Sequence, residues 1–152
     1  MKIAISSDEH FPLIDILLEE IKLRGHEVLY FGSAPNEKPL DWPIVTLQAV
    51  EAVAQRQADE AIVLCWTGTG CTIVANKVPG IRAALCADAE TAKGARIWNH
   101  ANVLGLSLRL TSPAMLKEIL AAWFGTPYST DEWNLLQMQH IKQIEAEHSG
   151  PQ

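Results

Sequence analysis

Ala61-Ile-Val-Leu-Cys-Trp-Thr-Gly-Thr-Gly-Cys-Thr72 runs from an apolar strand into a glycine-rich turn. Ala61 to Leu64 is short, continuously apolar and rich in branched residues, as expected of a strand buried within a parallel sheet. Gly68 and Gly70 let the backbone turn sharply, and Thr72 to Lys77 has helical character. Such a turn aims peptide N–H groups into a crevice, where they hold an anion or a developing oxyanion. Cys65 stands at the lip of that crevice. A thiol there is a base or nucleophile if its pKa is lowered. Alternatively Cys65 only ends a buried strand, because free cysteine is among the most buried residue types. The local pattern leaves both readings open.

Outward from this stretch the chain alternates strand and helix. Lys2 to Ser6 is a predicted strand, Leu13 to Leu23 an amphipathic helix closed by Arg24-Gly25, and Glu27 to Phe31 a second strand. A polar, proline-containing loop from Gly32 to Pro43 precedes a helix from Ile44 to about Arg56. Beyond the glycine turn, Pro79-Gly80 breaks the helix before a strand at Arg82 to Cys86. A helix near Ala89 to Trp98 leads to a fifth strand, Asn102 to Leu106. Ser112-Pro113 caps a helix ending near Phe124. A last helix follows over 131–148, with Trp133, Leu135, Leu136, Met138, Ile141 and Ile144 on it. This pattern predicts one α/β domain over 1–152, an open five-stranded parallel sheet of Rossmann type with helices on both faces. Ligands bind beyond the carboxyl ends of such strands, at a topological switch point. Asp8, Glu9 and His10 follow the first strand, Cys65 to Gly70 the third, and Asp88 the fourth, so one rim is expected to gather them.

At 152 residues the chain buries a substantial core, and 48% hydrophobic with 20% charged residues is ordinary for a globular protein. A net charge of −6 argues against nucleic-acid or anionic-membrane binding through bulk charge. Cys65, Cys71 and Cys86 are odd in number and lack metal-type spacing, so neither a disulfide framework nor a metal site is expected. Free thiols fit a reducing compartment. Met1-Lys-Ile-Ala-Ile enters a strand directly, without signal-peptide regions, so a cytoplasmic location is expected. Cys71 and Cys86 read as small packed side chains.

Three stretches carry a resemblance: Val63-Leu-Cys-Trp-Thr-Gly-Thr-Gly, Ala75-Asn-Lys-Val-Pro-Gly-Ile-Arg-Ala-Ala84 and Asn99-His-Ala-Asn-Val-Leu104. Lys2-Ile-Ala-Ile-Ser-Ser-Asp8 and Ala122-Trp-Phe-Gly125 fit the same pattern. Together, in order and with similar spacing, they resemble the ribose-5-phosphate isomerase B and galactose-6-phosphate isomerase family. The resemblance implies aldose–ketose isomerisation through an enediolate, without metal or other cofactor. It implies a sugar or sugar-phosphate substrate, and a homodimer or dimer of dimers with active sites at the interface. The apolar positions of the last helix predict packing either on its own domain or on a partner subunit. Cys65 then matches the catalytic thiol, Thr67 the threonine at the sugar-ring oxygen, and Asp8 the acid after the first strand. Gly68, Thr69 and Gly70 match the anion hole, Asn99 the substrate-binding asparagine, and Arg109 an arginine of the phosphate region.

Departures from the family pattern are equally specific. Glu9 separates Asp8 from His10, where the family has histidine directly after the aspartate. Trp98 replaces the histidine linked to ring opening, with His100 two places on. Asp41-Trp42 stands where the family has a tyrosine before proline, and Trp66 replaces a glycine after the thiol. Glu132 and Leu136 occupy the positions of two phosphate-clamping arginines; a carboxylate there repels a dianion. Trp42, Trp66 and Trp98 are either stacking walls for a sugar or core residues. His10 and His100 are either replacement proton carriers or exposed loop histidines. The expected function is an isomerase acting through Cys65 on a sugar or sugar phosphate, either ribose 5-phosphate or a different one. The alternative is a sugar-binding protein of the same fold with altered catalysis.

Overall fold

In the computed structural model, which describes residues 1–148, strands and helices alternate and one further helix closes the chain. Residues 149–152, part of the expected single domain, lie outside the described residues. The strands are β1 (Lys2–Ser7), β2 (Glu27–Gly32), β3 (Glu60–Cys65), β4 (Ala83–Leu85) and β5 (Val103–Ser107). The helices are α1 (Pro12–Leu23), α2 (Trp42–Ala54), α3 (Thr69–Ala75), α4 (Ala89–Asn99), α5 (Pro113–Gly125) and α6 (Glu132–His148). Two helices start two or more residues earlier than the sequence suggests. Pro43 fits the first turn of α2, where its missing N–H has no intrahelical partner to lose, so the helix opens at Trp42. Gly68, at φ 77°, turns the chain into α3 at once, so that helix opens at Thr69 rather than Thr72.

All strand pairs are parallel, in the order β2-β1-β3-β5-β4. Alternation along the strands sorts the core. Ile3, Ile5, Ile62, Leu64, Leu104 and Leu106 face one side, against α1, α4 and α5. Ala4, Ala61, Val63, Cys65 and Val103 face the other, against α2 and α3. The small residues on this second face let α2 and α3 approach closely, and they place Cys65 beneath α3. The chain leaves β1 toward β2 and returns as β3 on the opposite side, so the switch point lies between β1 and β3. Ser7 pairs with Leu64 and Cys65 with Ser107. Asp8 therefore comes level with Cys65, one strand spacing (about 4.8 Å) away along the sheet.

Gly68 is where backbone and packing leave least freedom. A side chain at its positive φ costs about 1–2 kcal/mol by itself. An added Cβ would also lie 2.5 Å from Leu85 Cδ1 and 2.9 Å from the Leu106 carbonyl carbon and oxygen. Gly68→Ala is thus expected to lower the thermal midpoint by several degrees and to displace the turn, measurable by calorimetry.

At the amino ends of the strands sits a buried polar network that the sequence reading did not identify. Glu60, the first residue of β3, accepts from Arg96 Nη1 at 2.7 Å through one oxygen and from Trp123 Nε1 at 2.7 Å through the other. Arg96 also donates to the Ala101 carbonyl and the Tyr128 hydroxyl, and its guanidinium lies over the Tyr128 ring at 4.2 Å. His100 stacks on Tyr128, ring centroids 4.7 Å apart, with Nε2 buried. The helix α6 lies along α4 of its own chain and is tied by Gly80 N–H donating to Glu145 at 2.7 Å. None of its residues is buried, and Trp133 is 70% exposed. No helix among the described residues is long and apolar enough to cross a membrane.

Candidate active site

Three carboxyl-terminal strand ends build the rim. Asp8 follows β1, the Cys65–Gly70 turn follows β3, and Leu108-Arg109 follows β5. Main-chain bonds lock the last two together. The Cys65 carbonyl accepts from Leu108 N–H at 3.0 Å, and the Trp66 carbonyl accepts from Arg109 N–H at 3.1 Å and Ser107 Oγ at 2.9 Å. The loop after β2 is held to the same rim, since Ser33 Oγ and Leu40 N–H both donate to the Asp8 carbonyl, at 2.8 and 2.9 Å. That loop delivers Asp41 and Trp42. Asp41 is exposed, and its carbonyl starts α2. The Trp42 ring lies over Gly70, 3.1 Å from where a Cβ would stand, so a side chain there would push the ring back by a few tenths of an ångström. Trp66 is half exposed and meets Phe11, ring centroids 5.8 Å apart, which joins the β1 and β3 loops. The hydroxyls of Thr67 and Thr69 are exposed and hydrogen-bonded to each other at 2.7 Å.

Cys65 is 6% exposed, enough to be reached from the rim. Its thiol is pulled down to about 5, first by a hydrogen bond from the Cys71 thiol. Burial opposes this, and the backbone N–H groups of Cys71, Gly68 and Thr67 add to it. The hydrogen bonds of the turn therefore favour the thiolate form of Cys65. Asp8 shifts the other way. Burial raises its pKa first, and the neighbouring charges of Cys65 and Glu9 raise it further, against the pull of local backbone N–H groups. Asp8 Oδ1 is buried and has no hydrogen-bond partner among the described residues. His10 is turned away into a 3.1 Å contact with Asp15. Asp88 caps α4 by accepting from Thr91 N–H at 2.7 Å, which is a structural use.

Within a single chain the residues matched to the family's site fall on two different rims. Trp98, Asn99 and His100 end α4, which runs antiparallel to the strands and delivers them to the amino rim. There Trp98 is 60% exposed, lies over Gly94 and lines a cleft with Trp133. His100 is neither an exposed loop residue nor a neighbour of Cys65, because it is packed on Tyr128 as the left-handed cap of α4. Glu132 and Leu136 lie on α6, which packs along α4 rather than beside the Cys65 turn. A cavity of about 810 Å³ also lies away from Cys65, between the α3–β4 loop, α4 and α6, and includes Arg82 and Asn99. It contains no thiol, so its size does not make it the reaction centre.

Some residues were read too simply from the sequence. Cys71 is no mere packed side chain; its six-residue spacing from Cys65, across a tight turn into a helix, brings it back under the strand end. Asn76 and Asn102 are brackets. Asn76 exchanges two hydrogen bonds of 2.9 Å with Ala83, and Asn102 receives Arg82 N–H at 2.8 Å and donates to Gly80. Among the described residues no group of three or more His, Cys, Asp or Glu is placed to hold a metal ion.

Residues 3–143 match the family described as Ribose/Galactose Isomerase. A D-erythrulose-4-phosphate isomerase from Pectobacterium atrosepticum is 34% identical over 84% of this chain and 85% of its own length. A ribose-5-phosphate isomerase B from Escherichia coli is 36% identical, again over 84% and 85%. Among solved structures, ribose-5-phosphate isomerase B of Clostridium thermocellum superposes with a TM-score of 0.91 at 37% identity, covering 98% of this chain and 100% of that one.

Proposed function

The chain belongs to the ribose/galactose isomerase family, and from that premise we propose that it interconverts an aldose and a ketose through an enediolate, with Cys65 as the base. The observation that carries this reading is the position of the Cys65 thiol, at the carboxyl end of β3, level with Asp8 and over the glycine turn that lowers its pKa. The thiolate removes the proton from the carbon beside the carbonyl, and the electron pair moves onto the carbonyl oxygen. Donors from the Thr67–Gly70 turn stabilise that charge. Cys65 returns the proton to the neighbouring carbon, which completes the isomerisation. Asp8, with its unpartnered Oδ1, takes a sugar hydroxyl and carries the proton between the two oxygens. Trp42 and Trp66, 43% and 53% exposed, offer their faces to the sugar C–H groups.

The substrate is a small sugar phosphate or sugar other than ribose 5-phosphate. Arg109 remains on the Cys65 rim, but Glu132 and Leu136 supply no cation where the family has arginines. The apolar exposure of Trp98 and Trp133 supports a homodimer or dimer of dimers, in which a second copy brings its amino rim toward Cys65. Nothing in this scheme requires a cofactor or a nucleic-acid partner, and the reducing conditions it needs fit the cytoplasm.

The test is a panel of tetroses, pentoses, hexoses and their phosphates in deuterated water, followed by NMR. At least one is expected to isomerise with deuterium entering the carbon beside the carbonyl. Absence of both conversion and exchange across the panel sinks the proposal, and saturable binding without exchange would instead indicate a binding protein. Because the Cys65 pKa is depressed, the active thiolate is present above about 5 and lost below it. Turnover should therefore hold from neutrality down to about 5 and fall as pH drops through that value.

A further inference from the structure

Cys71 has a position that the proposed chemistry does not by itself explain. It lies in the first turn of α3, is fully buried, and shares one apolar cluster with Cys65. Its sulfur is 3.2 Å from the Gly68 carbonyl oxygen and 3.5 Å from the Val63 carbonyl oxygen. Both carbonyls belong to the strand and turn that carry Cys65. Gly68 O does not depend on the Cys71 proton, because Thr72 Oγ1 donates to it at 2.7 Å and Thr72 N–H at 3.3 Å. One S–H thus sits against a Gly68 carbonyl that is already served, beside a sulfur that becomes the strongest acceptor in the cluster once it is negative.

We propose that Cys71 is a positioning residue for the Cys65 base, its buried S–H turning from the Gly68 carbonyl to the Cys65 sulfur when that sulfur is a thiolate. No proton is transferred between them; Cys71 stays a thiol throughout. This inference rests on the reading of Cys65 as base only for its consequence in catalysis, not for its physical content. The surroundings fit the assignment. Burial and the demand of Cys65 for its proton push the ionisation of Cys71 far up, so it remains a donor at any pH at which the protein works. The titratable groups that bear on Cys65 are Asp8, from the β1 side, and Cys71, from α3. Burial and Asp8 oppose ionisation of the thiol, and the Cys71 S–H is the strongest of the groups that favour it, so removing it leaves only the weaker backbone donors. Cys86 is pushed up to about 12 by burial and the Asp88 charge, and does not titrate in the same range.

The experiment measures the pH dependence of Cys65 alkylation by iodoacetamide, with the modified residue located by mass spectrometry. It compares the wild type with Cys71→Ala and Cys71→Ser. In the wild type the midpoint is expected near 5. In Cys71→Ala it should rise by at least about one pH unit, a tenfold change in the ionisation constant. Cys71→Ser, whose hydroxyl also donates, should restore part of the shift. Circular dichroism and thermal melting verify the fold; if the alanine variant does not fold, the serine variant and a Cys71→Val variant decide. An unchanged midpoint in a folded variant without a donor overturns the proposal. The readout needs no substrate, so a failed isomerase assay and a failed Cys71 assignment are separate results. If the protein isomerises a sugar, the acid limb of its kcat/KM profile should move with the alkylation midpoint, which a purely structural role for Cys71 would not produce.

Discussion

Cys65→Ala is expected to lower kcat by about 10²- to 10⁴-fold, the range that a positioned general base supplies. The substitution removes the group that accepts the carbon-bound proton, and no neighbour can take its place. Asp8 is nearest in register, but in the proposed scheme it is engaged with the sugar hydroxyls rather than with the carbon-bound proton. His10 is held by Asp15, and His100 is on the other rim. KM should change little, because the sulfur meets the reacting carbon while the hydroxyls and ring bind elsewhere; a loss in kcat at constant KM marks an interaction made in the transition state. Cys65→Ser should fare little better, since a serine hydroxyl ionises far above neutrality. Exchange of deuterium out of a substrate labelled beside the carbonyl is the direct check. If the alanine variant retains exchange within about tenfold of the wild type, Cys65 is not the base.

The thiol, its glycine turn and the sheet around them were legible in the sequence because they are local. A continuous apolar strand, two glycines and the start of a helix are encoded within twelve consecutive positions, 61–72. The parallel order followed from alternation of elements. Three things were not legible. Trp98, Asn99 and His100 match the family's site residues, yet the direction of α4 carries them to the rim opposite Cys65, and only topology reveals it. Cys71 looked like packing because its hydrogen-bonding role depends on a three-dimensional return under β3. Glu60 and Arg96 lie far apart in sequence and are separately unremarkable charged residues, one opening a strand and the other inside a helix. Their pairing emerges only when α4 is docked on the sheet.

That pair is the basis of the largest stability effect expected outside the site. Glu60→Ala should destabilise the protein by about 3–5 kcal/mol, because it strips a buried guanidinium of its counter-charge. Both side chains are about nine-tenths buried, so water cannot readily replace the lost carboxylate. Arg96 would retain the Ala101 carbonyl and the Tyr128 hydroxyl and ring, which are neutral partners, and Trp123 Nε1–H would lose its acceptor as well. For a chain of this size each kcal/mol moves the melting midpoint by about 2–4 °C, so a fall of roughly 6–20 °C is expected in calorimetry. Arg96→Met should cost a similar amount by stranding Glu60. Combining Glu60→Leu with Arg96→Met should cost clearly less than the two single changes added together, since the double variant leaves no buried charge unpaired. Strict additivity would mean that the two charges stabilise the fold independently and that their 2.7 Å contact contributes nothing. The network lies at the amino ends of β3 and β5 and Cys65 at the carboxyl ends, so the Cys65 alkylation midpoint should stay where it is in every one of these variants that remains folded. A shift there would reveal coupling along β3 between the two rims, the one element that begins at Glu60 and ends at Cys65.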